Sequence, residues 1–267
     1  MSSLKQISYP MYLFPIIFAH RGSSSHAPEN TIAAFELAVR QESEAIELDT
    51  KLTRDGEVVV IHDLTVDRTT DGSGRVSDLT LAAIKELDAG SHFDVAFKGE
   101  PIPTLEEVLE TIGKRAFINI ELTNYDIPSA PLPEKVAAIV QKLGLANHIL
   151  FSSFHPMILR RIQRLMPKVP VGFLAQPGIS GFLARSWLGR WMVNYQALHL
   201  EVRDLNLSLL QRAHRSGYKV NIYTVNREED MRTLFSMGVN GIFTDDPLLA
   251  RQVRTSYLAD PLTSRDC

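Results

Sequence analysis

The segment AIELDT, residues 45–50, sets two carboxylates, Glu47 and Asp49, two positions apart. Side chains alternate faces along an extended chain, so both point the same way. Two carboxylates cannot cheaply lie in an apolar interior. The flanking residues are nevertheless too apolar for a solvated strand end. The pair therefore asks for water, a base or a cation at the open end of a buried strand. Glu121 sits at the end of FINIEL, residues 117–122, again where an apolar run gives out. Three carboxylates at strand ends suit one hard divalent cation with oxygen ligands, Mg2+ or Ca2+. Zinc fits less well, because no thiolate cluster is available: the single cysteine is Cys267, the last residue.

Two histidines occupy matching places. His20 ends IIFAH, and His62 ends VVVIH, one residue before Asp63. Either one alone reads as a hydrogen-bonded structural residue. As a pair in the segments beside Glu47 and Asp49, they read as an acid and a base. An imidazole pKa of ~6.5 suits both roles at neutral pH. Arg21 could grip a phosphoryl oxygen and stabilise its developing charge. Gly22 would let the backbone approach closely. His26, His92, His148, His155 and His214 lie in expected loops or helices and read as surface or structural. His199, inside ALHLEV, reads equally as core or as substrate wall.

The elements that must hold these groups alternate. Apolar β-rich runs lie at 16–20, 45–50, 58–62, 117–122, 149–153, 171–175, 197–202, 220–225 and 241–245. Their near-continuous hydrophobicity suggests strands covered on both faces, as in a parallel sheet. Helical patterns fall between them, at 134–143, 156–166, 206–216 and 228–237. Asn30 is expected to cap a helix carrying Ile32, Phe35 and Val39 on one face, and Thr104 with Glu107 reads as a capping box. A (β/α)8 barrel needs eight strands, and the runs number nine. The connection KLTRDGE is too short for a parallel crossover, which takes a dozen residues or more. VVVIH is therefore expected to return antiparallel as a hairpin arm, leaving eight runs for the barrel.

The 267 residues, 45% hydrophobic and 22% charged, form one expected domain, 1–267, with no linker or repeat dividing it. A net charge of −3 gives no reason to expect a nucleic-acid partner. The apolar stretch from Tyr9 to Ala19 is about half the ~20 residues of a membrane span. With only Lys5 basic, it reads as a lead-in to the first strand rather than an export signal. A cytoplasmic location with no transmembrane segment is expected.

Taken together, the segments resemble the glycerophosphodiester phosphodiesterase family. The resemblance rests on AHRG with PENTIAAF, ELDTKLTRDGEVVVIHD, DRTTDGSG, IPTLEEVL, INIEL, YTVN and GVNGIFTDDP, in family order across residues 19–247. It implies a TIM barrel with a small insertion after the second strand, about residues 63–100. It implies hydrolysis of a small glycerophosphodiester to sn-glycerol 3-phosphate and an alcohol, with one divalent cation. Glu47, Asp49 and Glu121 match the metal ligands, His20 and His62 the acid/base pair, and Arg21 the phosphate-binding arginine. The family usually carries a lysine where this chain has Thr123, so a positive charge is expected from elsewhere, with Arg203 as candidate. Tyr223 stands where relatives often have tryptophan and is expected to shape the pocket wall. A cyclic 1,2-phosphate is the expected intermediate.

The segment at 174–195 is long and glycine-punctuated, with Phe182, Trp187, Trp191 and Tyr195 beside Arg185 and Arg190. It reads as a barrel helix, or as a lid making weak membrane-surface contact and accepting an acyl chain. The second choice suits the alternative of a lysophospholipase D or sphingomyelinase D-like enzyme. A non-catalytic barrel would be expected to show a damaged constellation, and this one is whole. An open dinucleotide-binding sheet would need a glycine-rich G-x-G-x-x-G turn after the first strand, which is absent.

Overall fold

Runs of valine, isoleucine, leucine and phenylalanine become strands here because helices cover one side and a closed interior the other. The computed structural model describes residues 15–123 and 129–259. Among them are β1 (Ile16–Ala19), β2 (Ala45–Leu52), β3 (Val58–Val60), β4 (Phe117–Leu122), β5 (Ile149–Ser153), β6 (Val171–Ala175), β7 (Ala197–Glu201), β8 (Lys219–Tyr223) and β9 (Gly241–Thr244). β1 pairs in parallel with both β2 and β9, which closes the sheet into a barrel. The ring of parallel strands runs β1-β2-β4-β5-β6-β7-β8-β9. β3 stands outside it, antiparallel to β2, with Thr50 opposite Val60 and Leu52 opposite Val58. The short turn thus makes the hairpin arm, and eight strands remain for the barrel.

Strand alternation divides the core in two. Ile46, Leu48, Ile118, Ile120, Leu198, Leu200 and Ile222 face outward onto the helices. Ile16, Phe18, Ala45, Phe117, Leu150, Ala197 and Phe243 fill the lower interior. Fully burying each large apolar side chain contributes roughly 1.5–3 kcal/mol, so these layers carry the fold. Above the apolar interior lies a polar layer of Glu47, Asn119, Ser152, His199 and Asn221, all buried. Carboxylates follow at the strand C-termini, the end where barrels of this type place their active sites.

The first helix, Ile32–Arg40, is capped by Thr31, not by Asn30: the Thr31 hydroxyl accepts from the Ala34 N–H. Asn30 instead takes a left-handed backbone, φ 58°, which asparagine tolerates better than most residues. The capping box of Thr104 and Glu107 forms, opening the helix Leu105–Ile112.

Residues 63–100 hold the short helix Leu81–Lys85 and two 3-10 turns, Val76–Asp78 and Val95–Phe97. Val66, Val76, Ile84, Ala89 and Ile102 pack with Val59 and Ile61 of the hairpin arm into a small core of their own. After β6, the chain makes two short helices, Phe182–Arg185 and Trp187–Met192, rather than one barrel helix. Phe182 and Trp191 are exposed, whereas Tyr195 is buried and donates its hydroxyl to the Ala184 carbonyl. The side chains of Trp187 and Arg190, the residue Cys267 and the lead-in before Pro15 lie outside what is described. No helix among the described residues is long and apolar enough to cross a membrane.

Candidate active site

Parallel register assembles the acidic group. β2 sets Glu47 opposite Asn119 and Asp49 opposite Glu121 of β4. One carboxylate oxygen from each of Glu47, Asp49 and Glu121 lies within 4.8 Å of the other two. Glu47 and Asp49 are each only 2% exposed. Burial, then the neighbouring charges of Asp49 and Glu121, push the Glu47 carboxyl well above the usual carboxylate range. Its Oε1 atom is buried without a hydrogen-bond partner. Crowded carboxylates with an orphaned oxygen are the donor set that a hard oxygen-seeking cation relieves, so these residues fit one.

Arg21 shares the other side of this cluster. It has a left-handed backbone, φ 58°, a strained conformation for a residue with a side chain. That geometry turns its backbone N–H onto Glu47 Oε2 at 3.0 Å. Its guanidinium reaches Glu29 Oε1 at 2.9 Å and approaches Asp49 Oδ2 at 3.3 Å. Burial alone would lower the Arg21 pKa, but the charges of Asp49, Glu29 and Glu47 outweigh it and raise it. Gly22 serves packing rather than substrate access: a Cβ there would lie 2.7 Å from Ala34 of the first helix. Asn30 donates to Asp49 Oδ2 at 3.0 Å and so holds that carboxylate in place.

The two histidines end the strand β1 and the hairpin arm, and each has its own aspartate. His20 Nδ1 lies 2.6 Å from Asp245 Oδ1, and His62 Nδ1 lies 2.6 Å from Asp63 Oδ1. Burial opposes ionisation of Asp245, but the hydrogen bond and charge of His20, with Asn226 and Ser24, hold its pKa below the usual range. Hydrogen bonds from Arg68 and His62 likewise hold Asp63 low. An ionised carboxylate only accepts, so each Nδ1 carries a hydrogen and each Nε2 remains for proton transfer.

These groups line one cavity of about 270 Å³. His20, Arg21, Glu47, Asp49, His62 and Glu121 form its charged side; Phe154, Leu174, Tyr223 and Phe243 form its apolar side. Tyr223 lies in the wall of this cavity. Its hydroxyl donates to the Ala175 carbonyl at 2.5 Å, and burial raises its pKa. His199 is core: it packs against Phe243 with ring centroids 5.0 Å apart, and burial pushes its pKa down to about 3.

Arg203 is not brought to this cavity. Its side chain is 80% exposed and pairs with Glu201 at 2.9 Å. A strand-end side chain that turns onto its own neighbour cannot also reach across the barrel mouth. The buried ammonium of Lys51 instead sits 2.9 Å from the Thr123 hydroxyl. Lys51 continues the inward series Glu47, Asp49, Lys51 along β2, a period-two signal already present in ELDTK. Asp245 was visible only within GIFTDDP, 225 residues from its partner His20.

Glu29 offers a pH test of this arrangement. Burial opposes its ionisation, but hydrogen bonds from Arg68 and the charge of Arg21 lower its pKa from 4.5 to about 2. The folded value lies below the unfolded one, so its stabilisation is complete above pH 4.5 and lost as pH falls toward 2. Glu29→Gln is expected to lower the Tm at pH 7 and to flatten the fall of Tm across that acid window. Thermal melts followed by circular dichroism check both.

A parallel barrel with carboxylates, two aspartate-held imidazoles and a guanidinium at its C-terminal rim defines a class, the TIM-barrel hydrolases of anionic esters. Comparison with known proteins gives the family. Residues 20–249 match the glycerophosphoryl diester phosphodiesterase family. A glycerophosphodiester phosphodiesterase of Caldanaerobacter subterraneus subsp. tengcongensis is 41% identical over 233 residues, 87% of this chain and 94% of that one. The crystal structure of a glycerophosphodiester phosphodiesterase from Agrobacterium tumefaciens superposes with a TM-score of 0.78 at 31% identity, covering 89% of this chain and all (100%) of that one. A phosphodiesterase from Oleispira antarctica, in complex with its product sn-glycerol-3-phosphate, superposes with a TM-score of 0.80 at 30% identity, covering 90% and 96%. The chain belongs to the glycerophosphoryl diester phosphodiesterase family, and with it to the phosphoric diester hydrolases.

Proposed function

We propose that this protein hydrolyses glycerophosphodiesters to sn-glycerol 3-phosphate and an alcohol, with one divalent cation and two-histidine acid/base catalysis. The observation that carries the reading is the convergence in one cavity of three carboxylates with two aspartate-held imidazoles. Glu47, Asp49 and Glu121 would hold Mg2+ or Ca2+. When bound, such an ion neutralises phosphoryl charge and lowers the pKa of an oxygen beside it. Arg21 binds a non-bridging phosphoryl oxygen from its place between Glu29 and Asp49. One histidine takes the proton of the glycerol 2-hydroxyl at Nε2 as that oxygen attacks phosphorus. The other gives a proton to the departing alcohol. Water then opens the cyclic 1,2-phosphate with the two roles reversed. We favour His62 as the acid toward the leaving group, because it is the more exposed of the two, 43% against 20%. The apolar wall of Phe154, Leu174, Tyr223 and Phe243 takes the carbon skeleton.

A substrate lacking the 2-hydroxyl tests the route. Turnover should stop; continued hydrolysis would mean direct attack by water instead.

A second reading, a lysophospholipase D or sphingomyelinase D-like activity on lipid substrates, is favoured by the exposure of Phe182 at 65% and Trp191 at 80% after β6. Surface aromatics of this kind insert at a lipid interface. Phe182→Ala/Trp191→Ala is expected to release the protein from liposomes in a flotation assay and to remove any dependence of turnover on acyl-chain length. Equal flotation of variant and parent would eliminate this reading.

A further inference from the structure

The insertion between the hairpin arm and the helix Leu105–Ile112 carries a guanidinium whose bonds reach both sides of the site. Arg68 donates from Nε to Asp63 Oδ2 at 2.6 Å and from Nη2 to Asp63 Oδ1 at 3.1 Å. The same group donates from Nη1 to Glu29 Oε2 and from Nη2 to Glu29 Oε1, each at 2.8 Å. Asp63 is the aspartate that holds His62, and Glu29 is the carboxylate that holds Arg21. Arg68 thus grips by two-pronged bonds the partners of two groups that line the cavity. We infer that Arg68 is a positioning residue for the hydrolysis, clamping His62 and Arg21 into one working geometry through Asp63 and Glu29.

An ordinary surface ion pair is worth little. Several features set this one apart. Forked guanidinium–carboxylate pairs fix orientation as well as distance, and here two forks share one guanidinium. Nη2 donates to Glu29 and Asp63 together, so those carboxylates lie against the same nitrogen. Without the cation between them they would repel, and each would carry its partner away from the cavity. The backbone around Arg68 is also anchored. Val66, Thr69 and Thr70 are buried, and the Thr70 hydroxyl donates to the Val66 carbonyl at 2.8 Å. Val66 belongs to the insertion's own core. The insertion therefore reaches the chemistry through Asp63, which holds His62, and through Arg68, which is not among the cavity's lining residues and ties Asp63 to Glu29. Lysine could not replace it, because a single ammonium lacks the planar double fork.

The inference rests on the proposed activity, so its test includes a readout independent of turnover. Arg68→Ala and the parent would be compared in two measurements. The first is kcat and KM on glycerophosphocholine with Mg2+, with and without added guanidinium ion. The second is the 15N spectrum of the imidazoles, which reports the tautomer of His62. A melt of each protein controls for folding. The clamp predicts a loss in kcat/KM of about 10–100-fold, the usual scale for residues that orient others at a site. Free guanidinium should restore part of it, and Arg68→Lys should remain impaired. His62 should lose its fixed Nδ1–H tautomer while His20, held by Asp245, keeps its own. Retention of kcat/KM within about threefold, or a loss that guanidinium does not restore, would overturn the clamp. An inactive parent would instead overturn the proposed activity. The imidazole spectra would then decide the clamp alone: an unchanged His62 tautomer in Arg68→Ala would refute it.

Discussion

His20→Ala and His62→Ala are each expected to lower kcat on glycerophosphocholine by about 10²–10⁴-fold, the range for loss of a general acid or base. The Tm should move little, because both rings stand at the rim of the barrel rather than in its core. The two losses should differ with the leaving group. Alkyl alcohols depart poorly as anions and need a proton; a nitrophenolate does not. On a p-nitrophenyl ester of glycerol phosphate, the variant lacking the general acid should recover most of the rate of its first step, the release of nitrophenolate. The variant lacking the first general base should not. With His62 as that acid, the recovery appears in His62→Ala and not in His20→Ala. Near-normal turnover in both variants on glycerophosphocholine would dismiss two-histidine catalysis. Asp245→Asn and Asp63→Asn should act in the same direction with smaller losses, since they leave the rings present but free the tautomer.

Removal of the divalent cation should have an effect at least as large. Treatment with EDTA is expected to abolish hydrolysis, and Mg2+ or Ca2+ to restore it. Glu47, Asp49 and Glu121 crowd their oxygens within 4.8 Å in a largely buried place, an arrangement that repels itself without positive charge. Arg21 compensates only part of this, because its guanidinium is shared with Glu29. Glu121→Ala should lower kcat by about 10²-fold or more, since a catalytic cation supplies several kcal/mol and ~1.4 kcal/mol is tenfold in rate. Added Mg2+ should not restore that variant fully. Isothermal titration with each cation checks the binding side: Glu121→Ala should bind more weakly than the parent. Full activity in EDTA would set the carboxylates a purely structural role.

Much of this architecture is legible in the chain because it is local. Alternating apolar runs and helical periods point to the barrel, and the short turn at Asp55-Gly56 excludes a ninth barrel strand. The acidic pair on β2 follows from a period of two, and the barrel rim explains why apolar strands stop at His20 and Glu121. What escapes local reading depends on pairing across the ring. Asp245 meets His20 only because β9 lies beside β1. Arg203 follows its strand directly, yet its bond to Glu201 turns it aside, while Lys51 reaches Thr123 through the contact of β2 with β4. Asn30 carries the composition of a helix cap but is drawn to Asp49, leaving the cap to Thr31. Arg68 gives no sequence sign of its two carboxylate partners, which lie on separate loops.

The most direct test of the central claim follows phosphorus itself. Glycerophosphocholine would be incubated with metal-stripped protein to which Mg2+ or Ca2+ has been restored, and the reaction followed by 31P NMR. The account predicts a transient cyclic glycerol phosphate that gives way to sn-glycerol 3-phosphate, with free choline released in step. Phosphocholine and glycerol as products would place cleavage on the other ester bond. That result, or no reaction with either cation, would contradict the account.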